Sequence, residues 1–306
     1  MNFTPSTLFL GVPFHAGQSK RGVAVTPDFF REVAWRDELG WQDLGNVSAP
    51  DYSGRDAAIH HAFELSKRVQ HTDIKDKFLC LMGGDHGQAL GTVHGLLHHY
   101  PDLIVVWMDA HADANVPSAS PTGNMHGMPL AWLLGARESR PWWMKRTLSP
   151  RRLIYIGPRS IDPYERMLIE ELDVAFITPE EARGPQFAHI LKRELQRIDP
   201  KGQSPVHLSL DVDVLDAGLI QGTGTRVENG LSFADVETAI DVLAQHTQVV
   251  SAEIVEINPE LSTLSEAREL CHWARELLVK LTPRLGLGLT MRAIRNAFSD
   301  EWRRSL

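Results

Sequence analysis

The stretch LIVVWMDAHADAN, residues 103–115, decides how the rest of the chain reads. Residues 103–108 form an unbroken apolar run with the length and β-branched content of a strand buried on both faces. The run then breaks abruptly into Asp109, His111 and Asp113. Alternate residues of an extended chain point to the same side, so these three side chains converge on one spot. Two hard carboxylates around an imidazole make a poor core and a good divalent-metal site. Taken by itself the triplet reads equally well as a polar strand end meeting water, and its neighbours have to decide.

Working outward, the same punctuation recurs. Residues 8–12, 78–82, 153–156, 174–177, 206–210 and 249–255 are short strand-like apolar runs. Between them lie helical patterns: Phe29, Phe30, Val33 and Ala34 after Pro27, then residues 57–70, then Leu90, Val93, Leu96 and Leu97. Further patterns run through Ile190 and Leu195, through Val236, Ile240 and Leu243, and over residues 265–281. Strands alternating with helices imply an α/β fold, a mostly parallel sheet covered on both faces, in one domain spanning residues 1–306.

The informative polar residues sit just past the C-terminal ends of the apolar runs: Asp85 and His86, the triplet, Arg159 and Asp162, Asp211 and Asp213, and Glu256. In open α/β sheets ligands bind in the crevice outside the carboxyl ends of the strands. Five segments therefore point at one place. His86, His111, Asp109, Asp113, Asp211 and Asp213 come from three of these strand ends. Such a cluster cannot stay unpaired at low dielectric without cations. Two divalent metals would neutralise the four carboxylates, and mixed oxygen and imidazole donors suit manganese better than zinc. Water shared by two such metals loses a proton near pH ~7 and becomes a hydrolytic nucleophile.

Composition limits the alternatives. A hydrophobic fraction of 43% in 306 residues suits a globular protein with a sizeable core, and a net charge of -8 argues against nucleic-acid or anionic-membrane partners. Cys80 and Cys271 read as buried free thiols of a reducing compartment. With no signal-like or bilayer-length segment, the expected location is the cytoplasm. His94, His98 and His99 read as a solvated cluster at a helix end; Trp142 and Trp143 read as packing or an oligomer contact.

GGDHG (83–87), DAHADAN (109–115), SPTGNMHGMP (120–129), SLDVDVLD (209–216) and EIVEINP (253–259), in that order, resemble the ureohydrolase family in its arginase pattern. GVPFHAGQSKRGV (11–23) adds to the likeness, which runs from about Leu8 to the C-terminal helix. The resemblance implies a three-layer α/β/α fold with an eight-stranded parallel sheet and two manganese ions at its carboxyl edge. His86 and Asp113 would bind one metal, His111 and Asp213 the other, with Asp109 and Asp211 bridging. The implied reaction is attack on the guanidinium carbon of L-arginine, giving ornithine and urea. His126 would shuttle protons and Glu256 would receive the guanidinium. Asn115 and Thr122 would hold the α-carboxylate, Asp162 and Glu165 the α-amino group, and Thr225 also falls among the implied substrate contacts. A homo-oligomer, trimer or hexamer, is implied too. Agmatine or another guanidino compound is the alternative substrate; a silent binding subunit is a third reading, disfavoured because all six ligands are present. Three departures stand out: Gly87 replaces a usual Ser, Ser160 a frequent Asp, and Arg226 the Pro of the common TGTP loop.

Overall fold

The structure, a computed structural model, describes residues 7–48 and 54–282. Eight strands form one sheet: β1 Thr7–Val12, β2 Gln42–Asn46, β3 Phe78–Gly83, β4 Ile104–Met108, β5 Leu153–Ile156, β6 Ala175–Ile177, β7 Pro205–Asp211 and β8 Gln248–Val255. Every pairing is parallel, in the order β2-β1-β3-β8-β7-β4-β5-β6. The helices are α1 Thr26–Val33, α2 Gly54–His71, α3 Ala89–His99, α4 Pro129–Leu133, α5 Pro163–Leu172, α6 Pro179–Arg183, α7 Phe187–Ile198, α8 Phe233–His246 and α9 Leu264–Leu281.

The period-2 alternation of the strands divides the core into two layers. Phe78, Cys80 and Met82 of β3, with Ile104, Val106 and Met108 of β4, pack on the side of α1, α7, α8 and α9. Leu79, Leu81, Val105 and Trp107 face α2, α3 and α4. Both faces are thus covered, and the implied three-layer arrangement is present. Both cysteines are buried and free.

Two sequence readings change. The seven apolar runs named above leave out a strand, β2, whose pairing with β1 supplies the eighth member of the sheet. Its residues QDLGN are exposed or half-buried, because an edge strand needs a hydrogen-bonding neighbour more than an apolar face. His94 is not solvated: it is 2% exposed, and its Nδ1 sits 2.7 Å from Ser66 Oγ while Nε2 accepts the Lys145 N–H at 3.3 Å. The turn that carries Trp143 folds back over α3, so His94 meets the Trp143 ring edge-on rather than water. Trp143 is buried there, while Trp142 remains 66% exposed.

Candidate metal centre

The crossovers put β8 and β7 between β3 and β4, so four neighbouring strands end at one point. Met108 pairs with Leu210, which places Asp109 and Asp211 side by side just beyond. Asp109 is the hinge of the arrangement. Its Oδ2 lies 2.9 Å from His86 Nδ1, and its Oδ1 lies 3.4 Å from His111 Nδ1. The His111 backbone N–H and the Trp107 indole donate to the same carboxylate and fix its orientation. Trp107 also stacks on the His86 ring at 4.0 Å, locking that imidazole in place.

Two donor groups result: His86, Asp109 and Asp211, and Asp109, His111 and Asp213, each with ligand atoms within 4.8 Å of one another. Asp113 joins the first through an oxygen 3.0 Å from His86 Nδ1, and Asp211 Oδ2 stands 3.4 Å from the same nitrogen. Asp213 Oδ2 is 3.1 Å from His111 Nδ1 and accepts the Thr225 hydroxyl at 2.7 Å. Asp113 reaches its position through a left-handed backbone, φ 48°. That conformation swings the carboxylate back toward β3, where a continuing strand would have carried it away.

The four aspartates are at most 6% exposed. Burial and the neighbouring Asp109 charge push Asp113 up to about 6; burial and the charges of Asp213 and Asp109 raise Asp211 well above the carboxylate range. Burial opposes a charge on His111, but Asp213 and Asp109 outweigh it and raise its pKa to about 12. The cluster thus gathers four buried carboxylates against two imidazoles. Hard oxygen donors with two imidazoles, in two groups that share one carboxylate, fit a pair of divalent cations.

The remaining sequence candidates fall around this centre. Glu256, fully buried with φ 63°, turns back from the end of β8. It accepts hydrogen bonds from His86 N, from Gln18 Nε2 and from His126 Nδ1, the last at 3.0 Å. Burial disfavours charge on His126, yet Glu256, with Asp113 and Asp85 behind it, raises its pKa to about 9. Asn115 donates to Asp162 at 2.7 Å, pairing two of the expected tail contacts. Thr122 is exposed, in a turn with Ser120. Glu165 is buried, and its two oxygens accept the backbone N–H groups of Ala114 and Asp162. In this arrangement it braces the loop between the triplet and α5. Arg159 points away from the centre; its guanidinium gathers carbonyls of residues 157, 213–215 and 227–228 and so pins the Asp213 segment. Of the departures, Gly87 is crowded: a β-carbon there would lie 2.8 Å from Asp85 Oδ1. Ser160 forms a bridge beside His111, and Arg226 reaches the Ile220 carbonyl at 3.4 Å.

Sequence reasoning passed over a buried support behind His86. Its Nε2 meets Ser209 Oγ at 2.9 Å, and Ser209 donates to Glu253 at 2.8 Å. Glu253 also accepts from Gln88 and Thr92 and lies 3.2 Å from His207 Nε2. Burial works against its charge, but the His207 partnership brings its pKa down to about 2. The signal was there: His207, Ser209 and Asp211 alternate along β7, a polar row on one face of an otherwise apolar strand. Asp85 was legible too, and its role is structural. It accepts Gly17 N at 2.8 Å and Gly87 N at 3.0 Å, tying the N-terminal loop under the site.

Fold and donor set define a class: a parallel α/β protein with a carboxylate- and imidazole-lined metal centre at the carboxyl edge of its sheet. Residues 6–279 match the Arginase family. An arginase of Schizosaccharomyces pombe is 32% identical over 302 residues, covering 92% of this chain and 92% of that one. The crystal structure of arginase from Bacillus subtilis superposes with a TM-score of 0.80 at 32% identity, over 92% of this chain and 100% of that one. Formimidoylglutamase from Bacillus subtilis, at 22% identity and TM-score 0.74, shares the fold over 91% of this chain and 88% of that one. The chain belongs to the arginase family and is a hydrolase of amidino carbon–nitrogen bonds. The family depends on a binuclear metal centre, and both donor groups needed for one are present. Among the described residues no helix is long and apolar enough to cross a membrane.

Proposed function

We propose that the protein hydrolyses L-arginine to L-ornithine and urea at a two-manganese centre. The observation that carries this reading is Asp109, whose two oxygens each serve a different histidine, with the Glu256–His126 pair alongside. His86 and Asp113 would hold one ion, His111 and Asp213 the other, with Asp109 and Asp211 between them. When bound, the ions supply charge to balance the aspartates and a water acidified to near pH ~7.

The protein's own residues supply binding and proton handling. Glu256 offers a buried carboxylate to guanidinium N–H groups, and charge-assisted bonds of this kind are about twice as strong as neutral ones. His126, held protonated by Glu256, stands ready to give its proton to the departing amine. The Asn115–Asp162 pair and Thr122 are the polar groups available to an α-amino-acid tail, with Glu165 bracing the loop behind them. Thr225 would act through Asp213. A cytoplasmic homo-oligomer belongs to the same reading, supported by the buried free thiols and the family likeness.

The test is urea release from a panel of guanidino substrates after manganese loading. We expect arginine to exceed agmatine by at least about 100-fold in kcat/KM, because polar groups built for the tail are left unpaired without it. Asp162→Ala should narrow that gap mainly through KM. Comparable kcat/KM for both substrates overturns the arginine assignment and leaves the metal-dependent hydrolase standing.

A further inference from the structure

We propose that Gln18 is a built-in occupant of the guanidinium subsite: its carboxamide satisfies Glu256 while the site is empty and yields to the substrate. The inference rests on the reading of Glu256 given above. Gln18 Nε2 donates to both oxygens of that carboxylate, at 2.9 and 2.7 Å. One amide nitrogen shared between both carboxylate oxygens takes the place a guanidinium nitrogen would take, so a neutral amide stands where a cation would sit.

The donors around Glu256 divide into fixed and movable. Oε1 accepts from His86 N, a backbone group at the end of β3, and from His126 Nδ1. The His126 backbone is anchored by its N–H to the Gly17 carbonyl. Oε2 takes a hydrogen bond from Gln18 and from no other group among the described residues. Gln18 therefore covers the face of the carboxylate that the fixed donors leave open, and a buried anion with an unpartnered oxygen is costly.

The arm that carries Gln18 is secured on both sides of it. Gly17 N donates to Asp85, and a β-carbon at Gly17 would lie 2.5 Å from Asp85 Oδ1, so the backbone passes flush against β3's loop. Lys20 Nζ donates to the Gly224 carbonyl across the mouth. Thr225, next to that carbonyl, donates to the ligand Asp213. Between these anchors the partly buried Gln18 side chain keeps its own rotatable bonds, so it can leave Glu256 without moving the arm. A cationic guanidinium forms stronger bonds to the carboxylate than a neutral amide does, which gives the exchange its direction.

A competitor and a positioning residue predict opposite changes. Gln18→Met keeps the volume and removes the donors. With the competitor gone, the manganese-loaded variant should bind guanidinium ion about three- to tenfold more tightly by calorimetry, part of the full strength of a bond to a charged acceptor because water takes up some of it. KM for arginine should fall in parallel, the change falling on KM rather than kcat. Gln18→Glu sets a second carboxylate against Glu256 and should raise KM. Weaker guanidinium binding by Gln18→Met, with a loss in kcat, would show that Gln18 holds Glu256 in position and would overturn the proposal. Unchanged binding, or no guanidinium binding by either protein, overturns it as well. Failure of the unsubstituted loaded protein to release urea from any guanidino substrate rejects the proposed function instead, and the guanidinium titration still judges Gln18.

Discussion

Ser209→Ala should weaken one metal site and spare the other. Ser209 gives its proton to Glu253 at 2.8 Å, so its oxygen is left to accept the His86 Nε2–H at 2.9 Å. That bond fixes the tautomer: with Nε2 protonated, Nδ1 presents its lone pair to the space shared with Asp109, Asp113 and Asp211, at 2.9, 3.0 and 3.4 Å. Alanine leaves a buried N–H without an acceptor, at a cost of about 1–3 kcal/mol. Loss of such a support behind a ligating histidine lowers metal affinity roughly 10- to 100-fold, or about 1.4–2.7 kcal/mol. The two figures agree. Because His111 and Asp213 make no contact with Ser209, a manganese titration against a competing chelator should show one weakened site and one unaltered. Equal weakening of both sites, or no weakening at all, would refute the reasoning.

Asp109→Ala removes the carboxylate common to both donor groups, and Asp211→Ala one that lies against His86, so both variants should hold fewer than two metals per chain. Elemental analysis finding full loading in both would sink the shared-ligand geometry. His126→Asn should lose turnover by about 100-fold or more while keeping its metal, since its partner is Glu256 rather than the ligand cluster; unchanged turnover would remove it from the chemistry. His94 supplies a pH-dependent prediction away from the metals. Burial, with the charges of His98 and Arg140 adding to it, lowers its pKa from 6.5 to about 4, so the unfolded chain takes up this proton more readily than the folded one. Its contribution is complete above pH 6.5 and is lost as the pH falls toward 4. The loss is about 1–3 kcal/mol. His94→Gln should flatten the acid limb of the stability curve; parallel limbs in the two proteins would contradict the assignment.

The sequence by itself determined the alternation of strands and helices, because buried parallel strands are continuous apolar runs and their ends are marked by sudden charge. It also marked the candidate metal donors, because His86, Asp109, His111, Asp113, Asp211 and Asp213 each follow such a run. Strand β2 escaped that reading because an exposed edge strand carries no apolar run, only backbone pairing to β1. Tertiary structure alone decided that β7 and β8 insert between β3 and β4, since long crossovers leave no local trace of which strands become neighbours. That insertion unites residues far apart in the chain, 170 positions in the His86–Glu256 bond. It also buries Ser209 and Glu253 behind His86, where a polar row on one strand face becomes a support for that imidazole. The same holds for His94, polar in sequence and buried in fact, because the segment that covers it lies 51 residues away in the chain. Residue type fixes what a side chain can do; the packing of distant segments decides which partner it does it with.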